Sequence, residues 1–126
     1  MDDIKKFIEE LGITSFESNM KIASIAVVSD SGDLVYQTNN WDLTNQTDTI
    51  LNVMNGERTF VLNTYNFSVL ENNPEGIVGA NDSGMGYIIF APFQGGILVS
   101  YAMPKADPIK ALYFLKNYAI KLNGKL

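Results

Sequence analysis

Residues 86–122 constrain the chain more than any other stretch, because they read as two apolar strands followed by a closing helix. Tyr87-Ile88-Ile89-Phe90-Ala91-Pro92-Phe93 and Ile97-Leu98-Val99-Ser100-Tyr101-Ala102-Met103 are separated by Gln94-Gly95-Gly96, glycine chemistry suited to a tight hairpin turn. The helix is punctuated at both ends. Asp107 can cap it, Pro108 fits the first helical position because its missing N–H would be unpaired there, and Asn123-Gly124 can close it. Ile109, Leu112, Leu115, Ala119 and Leu122 recur at spacings of three and four and so form one face that must bury. The neighbouring hairpin is its obvious partner.

The remainder of the chain supplies more of the same. Ile4, Phe7, Ile8 and Leu11 mark a short amphipathic helix that is expected to end at Gly12, with Asp2 and Asp3 at the positive end of its dipole. Residues 21–29 read as a buried strand, turned by Asp30-Ser31-Gly32-Asp33 into a second strand over 34–38. Thr44 can cap a short helix running to Met54 with Ile50, Leu51 and Met54 inward, although its Asn and Thr content makes it a poor helix former. A compact hairpin follows, strands 59–62 and 67–70 across Asn63-Thr64-Tyr65-Asn66; a break at 72–76 then leads to a strand over 77–80. Sequential hairpins imply an antiparallel sheet, with the helices of the two chain ends covering its faces. The expected fold is therefore α+β: a central antiparallel sheet of about six to seven strands with N- and C-terminal helices packed on it, in a single domain over residues 1–126.

Chemistry is scarce. The chain has no histidine, which removes the commonest general base, the commonest metal ligand and every Ser–His or Cys–His nucleophile. It has no cysteine, hence no disulfide, thiolate or zinc–sulfur site. The fourteen carboxylates fall mostly in turns and at helix starts, where capping and solvation explain them. Gly84-Met85-Gly86 precedes a strand and not a helix, so it is no phosphate-cradling loop. No catalytic residue, metal site or cofactor is expected, and the chain does not read as an enzyme. A net charge of -5 argues against nucleic acid and anionic membranes. Without a basic, apolar leader or a run of ~20 apolar residues, neither secretion nor membrane insertion is expected, and the working location is the cytoplasm. What remains is surface: Lys110, Tyr113, Lys116 and Asn117 lie off the buried stripe of the last helix, and an exposed aromatic among cations resembles an interface anchor.

The element order, the size and several local patterns resemble a profilin, the small actin-monomer-binding protein. Residues 59–70 resemble the profilin hairpin of two short apolar strands, and Ile77-Val78-Gly79-Ala80-Asn81-Asp82-Ser83-Gly84-Met85-Gly86 resembles the strand and Gly-rich turn that follow it. The ending, residues 87–103 with the terminal helix, and the short helix after Trp41-Asp42-Leu43-Thr44 also fit. The Asn- and Lys-rich, Arg-poor composition suits the divergent profilins of Asgard archaea. A rival is the roadblock domain, a dimeric regulator or scaffold for small GTPases. It shares the general architecture and has a similar ending around residues 89–99, but usually carries a longer second helix and lacks the extra hairpin at 59–70.

The profilin resemblance implies a monomeric, cytoskeleton-associated regulator of actin polymerisation. Carried over by position, the actin contacts would be Val69 and Glu71 on the fourth strand, Val78 and Ala80 on the fifth, and Tyr87 and Ile89 on the sixth. Lys110, Tyr113, Lys116 and Asn117 of the last helix would complete them. Glu71 stands where many profilins have a basic residue. The family's proline-rich ligands sit on aromatics between the two terminal helices, including a tryptophan in the first. Here only Phe7 and Tyr118 remain as candidates, since Trp41 lies elsewhere, so such binding would be weak or absent. Phosphoinositide binding, another family property, has only scattered lysines behind it.

Overall fold

The computed structural model describes residues 2–126. Its elements in chain order are α1 (Asp2–Glu17), β1 (Ile22–Ser29), β2 (Leu34–Gln37), α2 (Thr47–Met54), β3 (Thr59–Leu62), β4 (Tyr65–Asn73), β5 (Gly76–Asn81), β6 (Tyr87–Phe93), β7 (Gly96–Ala102) and α3 (Pro108–Ile120). The seven strands form one sheet in the order β2-β1-β7-β6-β5-β4-β3, and every neighbouring pair is antiparallel.

Because side chains alternate along a strand, the sheet divides its apolar residues between two cores. Ile25, Val27, Ile89, Ala91 and Leu98 face α1 and α3. Ala26, Val28, Ile88, Phe90, Ile97 and Val99 face the other way, toward α2. Burial on both faces explains why β1, β6 and β7 are near-continuous apolar runs and not alternating ones. Both terminal helices thus share one face, and α2, not a terminal helix, covers the opposite one. The expectation that the chain-end helices cover the two faces is corrected accordingly.

Local chemistry moves several boundaries. The helix α1 runs past Gly12 to Glu17, because Ser15 continues the buried stripe of Ile4, Ile8 and Leu11 and a helical glycine costs only about 1 kcal/mol. The helix α2 begins at Thr47, not after Thr44. Asp42 takes Thr44 into a local turn, accepting from its backbone N–H at 3.0 Å and from its hydroxyl at 2.7 Å. The β3–β4 connection is only Asn63-Thr64, both left-handed at φ 49° and 73°, so Leu62 pairs directly with Tyr65. That tight turn starts β4 two residues earlier than expected.

The helix α3 is fastened at both ends. The Asp107 carboxylate accepts from the N–H groups of Ile109 and Lys110, each at 3.2 Å, and Pro108 opens the helix. At the far end Gly124 N–H donates to Gln94 O at 2.9 Å, and Gln94 N–H donates to Asn123 Oδ1 at 2.7 Å. Those two bonds bind the end of the chain to the β6–β7 turn. In the stripe itself, Ala111 is fully buried while Ile109 lies at the rim.

Candidate functional site

The helix α3 lies across β5, β6 and β7, and β3 and β4 extend beyond it on the same side. Register fixes which side chains meet there. Glu71 pairs with Val78 and Val78 with Ile89, making one cross-strand row. Ser68 pairs with Ala80 and Ala80 with Tyr87, making a second. The helix covers the inner part of the first row, so Val78 and Ile89 are fully buried and offer no surface to a partner. Glu71, Ala80 and Tyr87 remain partly exposed around that cover.

Val69 is displaced by a β-bulge. Strict alternation puts Val69 and Glu71 on one face, but the β4–β5 register shifts between them. Val69 packs into the α2-side core, Glu71 aligns with Val78 on the α3 side, and the intervening Leu70 is thrown outward, 58% exposed. Leu70 is the apolar side chain that the sequence did not disclose, since a bulge leaves no mark in residue spacing. Val61, paired with Asn66, is likewise exposed.

On α3, Lys110, Tyr113 and Asn117 point to solvent together, at the spacings of three and four that align residues on a helix. Tyr113 is 49% exposed. Lys116 differs: its Nζ donates to Pro92 O at 2.6 Å, so its charge is engaged in holding α3 against the end of β6. Lys110 instead borders a hollow with Lys21, Lys105, Asn19 and Asp107.

A second cluster lies between α1 and α3. Phe7 meets Tyr118 edge-on with ring centroids 5.7 Å apart, Phe114 lies 5.1 Å from Tyr118, and Lys121 Nζ sits 4.8 Å above the Tyr118 ring. The structure therefore brings Phe7 and Tyr118 together and adds Phe114. Its four-residue spacing from Tyr118 was the available signal. Trp41 belongs to the opposite, α2-side core. Among the described residues no group of three or more His, Cys, Asp or Glu could hold a metal ion, and no helix is long and apolar enough to cross a membrane.

This architecture, with a separate β3–β4 hairpin and an α2 of only eight residues, is the profilin fold and lacks the long second helix of roadblock domains. No protein-family model matches the chain. It is 28% identical to Loki profilin-1 of Lokiarchaeum sp. (strain GC14_75) over 109 residues, 78% of this chain and 81% of that protein. It is 27% identical to Thor profilin of Thorarchaeota archaeon (strain AB_25) over 113 residues, 86% of this chain and 88% of that one. Among solved structures, Loki profilin-2 in complex with rabbit actin superposes over 100% of this chain and 99% of its own, with a TM-score of 0.88 and 25% identity. Profilin IB of Acanthamoeba castellanii, at 19% identity and a TM-score of 0.70 over 86% of this chain and 90% of its own, shares the fold. The chain thus shares the profilin fold and is similar over most of its length to the profilins of Asgard archaea.

Proposed function

We propose that this chain binds an actin monomer and regulates actin polymerisation, without catalysing a reaction, in the cytoplasm beside the filament network. The observation that carries the reading is the mixed apolar and polar face formed by Tyr113, Lys110 and Asn117 of α3 with Leu70, Glu71, Ala80 and Tyr87 of the sheet. The full-length likeness to profilins solved with actin supports it. Exposed aromatics such as Tyr113 are enriched at interface centres while charged groups such as Lys110 belong at the polar rim, and a contact of standard size would cover ~800 Å² of this face. Val78 and Ile89 support it from beneath, and Lys116 holds the helix in place.

Replacing Tyr113 by Ala together with Lys110 by Glu is expected to weaken actin-monomer binding at least tenfold, about 1.4 kcal/mol. Unchanged affinity in a fluorescence-anisotropy titration would remove this face. The Phe7–Tyr118–Phe114 cluster is the place where a proline-rich segment would stack, and the hollow bordered by Lys21, Lys105 and Lys110 is the place where a phosphoinositide headgroup would sit.

A further inference from the structure

On the side of the sheet opposite α1 and α3, α2 is too short to cover the whole face. Its buried Ile50 and Val53 share a core with Val28, Ile77, Phe90 and Ile97, at one end of β1, β5, β6 and β7. The other end is left to a partly open cavity of about 420 Å³. Trp41, Tyr65, Phe67, Met85, Ile88 and Tyr101 line it. A volume of this order and a mostly apolar lining that includes four aromatics are those of small-molecule sites.

The polar groups of the cavity narrow the ligand. Asn81 is consumed by the fold: its amide donates to Asn66 O at 3.1 Å, and its carbonyl accepts from Ser83 N–H at 2.9 Å and Met85 N–H at 3.1 Å. Asn40 donates to Ala23 O at 2.8 Å and accepts from the Thr38 hydroxyl at 2.7 Å. The Tyr101 hydroxyl donates to Met85 O. That leaves the Ser24 hydroxyl, the Asn63 side-chain amide, the Tyr65 hydroxyl and the Trp41 indole N–H as the polar lining groups not so engaged among the described residues. Ser24 is only 5% exposed, and it pairs with Tyr101 on the cavity side of the sheet. All four of these groups can donate, so the cavity suits a ligand that offers a hydrogen-bond acceptor. No charged side chain lines the cavity, so an ionised ligand would lose hydration there with no counter-charge.

We propose that this cavity is a binding site for an uncharged, ring-bearing small molecule. Its flat apolar body packs among Trp41, Tyr65 and Phe67, and its single carbonyl or amide bonds to Ser24 and Asn63. The site is separate from the face assigned to actin, and it stands whether or not actin is the partner.

Trp41 is the only tryptophan, so its emission reports occupancy of the cavity. The test titrates the intact chain with benzamide, following Trp41 emission and the backbone amide shifts of Ser24 and Asn63. Benzoate, of the same shape but charged, serves as the control. Expected are saturable changes in both signals with benzamide and at least tenfold weaker binding of benzoate. Tyr65→Ala, at a largely exposed position, is expected to weaken benzamide at least tenfold while leaving the circular dichroism spectrum unchanged. Ser24→Ala is expected to weaken it further than it weakens toluene, which has no carbonyl. Non-saturating signals, equal binding of benzoate, or indifference to Tyr65→Ala would overturn the proposal.

Discussion

At the scale of the residue, three positions show how far side-chain chemistry can be read directly. Gly79 has no side chain because Phe60 occupies the space: a Cβ there would lie 2.6 Å from the Phe60 ring, and Phe60 is itself stacked on Phe67 at 5.1 Å. Gly79→Ala is therefore expected to destabilise the fold by about 1–3 kcal/mol, the usual cost of overpacking, measurable by urea denaturation. Asp42 is held below its ordinary carboxylate value, first by the Thr44 hydroxyl and then by the Thr44 N–H. Since the folded value lies below the unfolded one, these bonds stabilise the fold above the unfolded value and lose their effect as pH falls through the folded one. Thr44→Val removes the larger cause and should raise the Asp42 titration midpoint in a carboxylate NMR titration. The sequence did show Thr44 as a capping residue, but not that Asp42 would claim it. Leu70 was not legible at all, because its exposure comes from a bulge that only strand pairing defines.

At the scale of the element, the signals that carried through were those with a local physical cause. Asp107-Pro108 specified the start of α3 because the carboxylate accepts from the unpaired N–H groups of Ile109 and Lys110, while proline has no N–H to leave unpaired. Asp107→Ala is expected to cost about 1 kcal/mol. Because the helix carries Tyr113 and is tied to the sheet through Lys116, actin affinity should fall only slightly. A loss as large as that of Tyr113→Ala would mean that α3 is marginally held. Helix ends without such punctuation are not legible in the sequence: α1 continues beyond Gly12 because tertiary burial of Ser15 outweighs one glycine. The fourth strand is longer at both ends than its apolar residues indicate, and at its start a turn of two left-handed residues at Asn63-Thr64 hides inside a run of polar residues.

At the scale of the whole molecule, the architecture was legible because every hairpin is sequential and carries its own turn chemistry. The exception is the β1–β7 pairing, which joins residues far apart in sequence and has no local signal. The side of the sheet taken by each helix was equally invisible, since central strands apolar on both faces do not say which face meets which helix. The candidate site follows the same division: Tyr113, Lys110 and Asn117 were readable from helical spacing, whereas the burial of Val78 and Ile89 depends on where α3 comes to rest. A chain that uses α3 and the open sheet face for its partner is expected to be a monomer, and light scattering at micromolar concentration should return the mass of one 13.9 kDa chain.

The most direct measurement is the assembly rate of pyrene-labelled actin with and without excess protein, repeated with Tyr113→Ala and with Leu70→Asp. Assembly slowed by the natural sequence and restored by both substitutions is the expected result, and it would place the actin contact on α3 and β4 together. Unaltered assembly with every actin tried, or inhibition that both variants retain in full, would contradict an actin-binding role for this face.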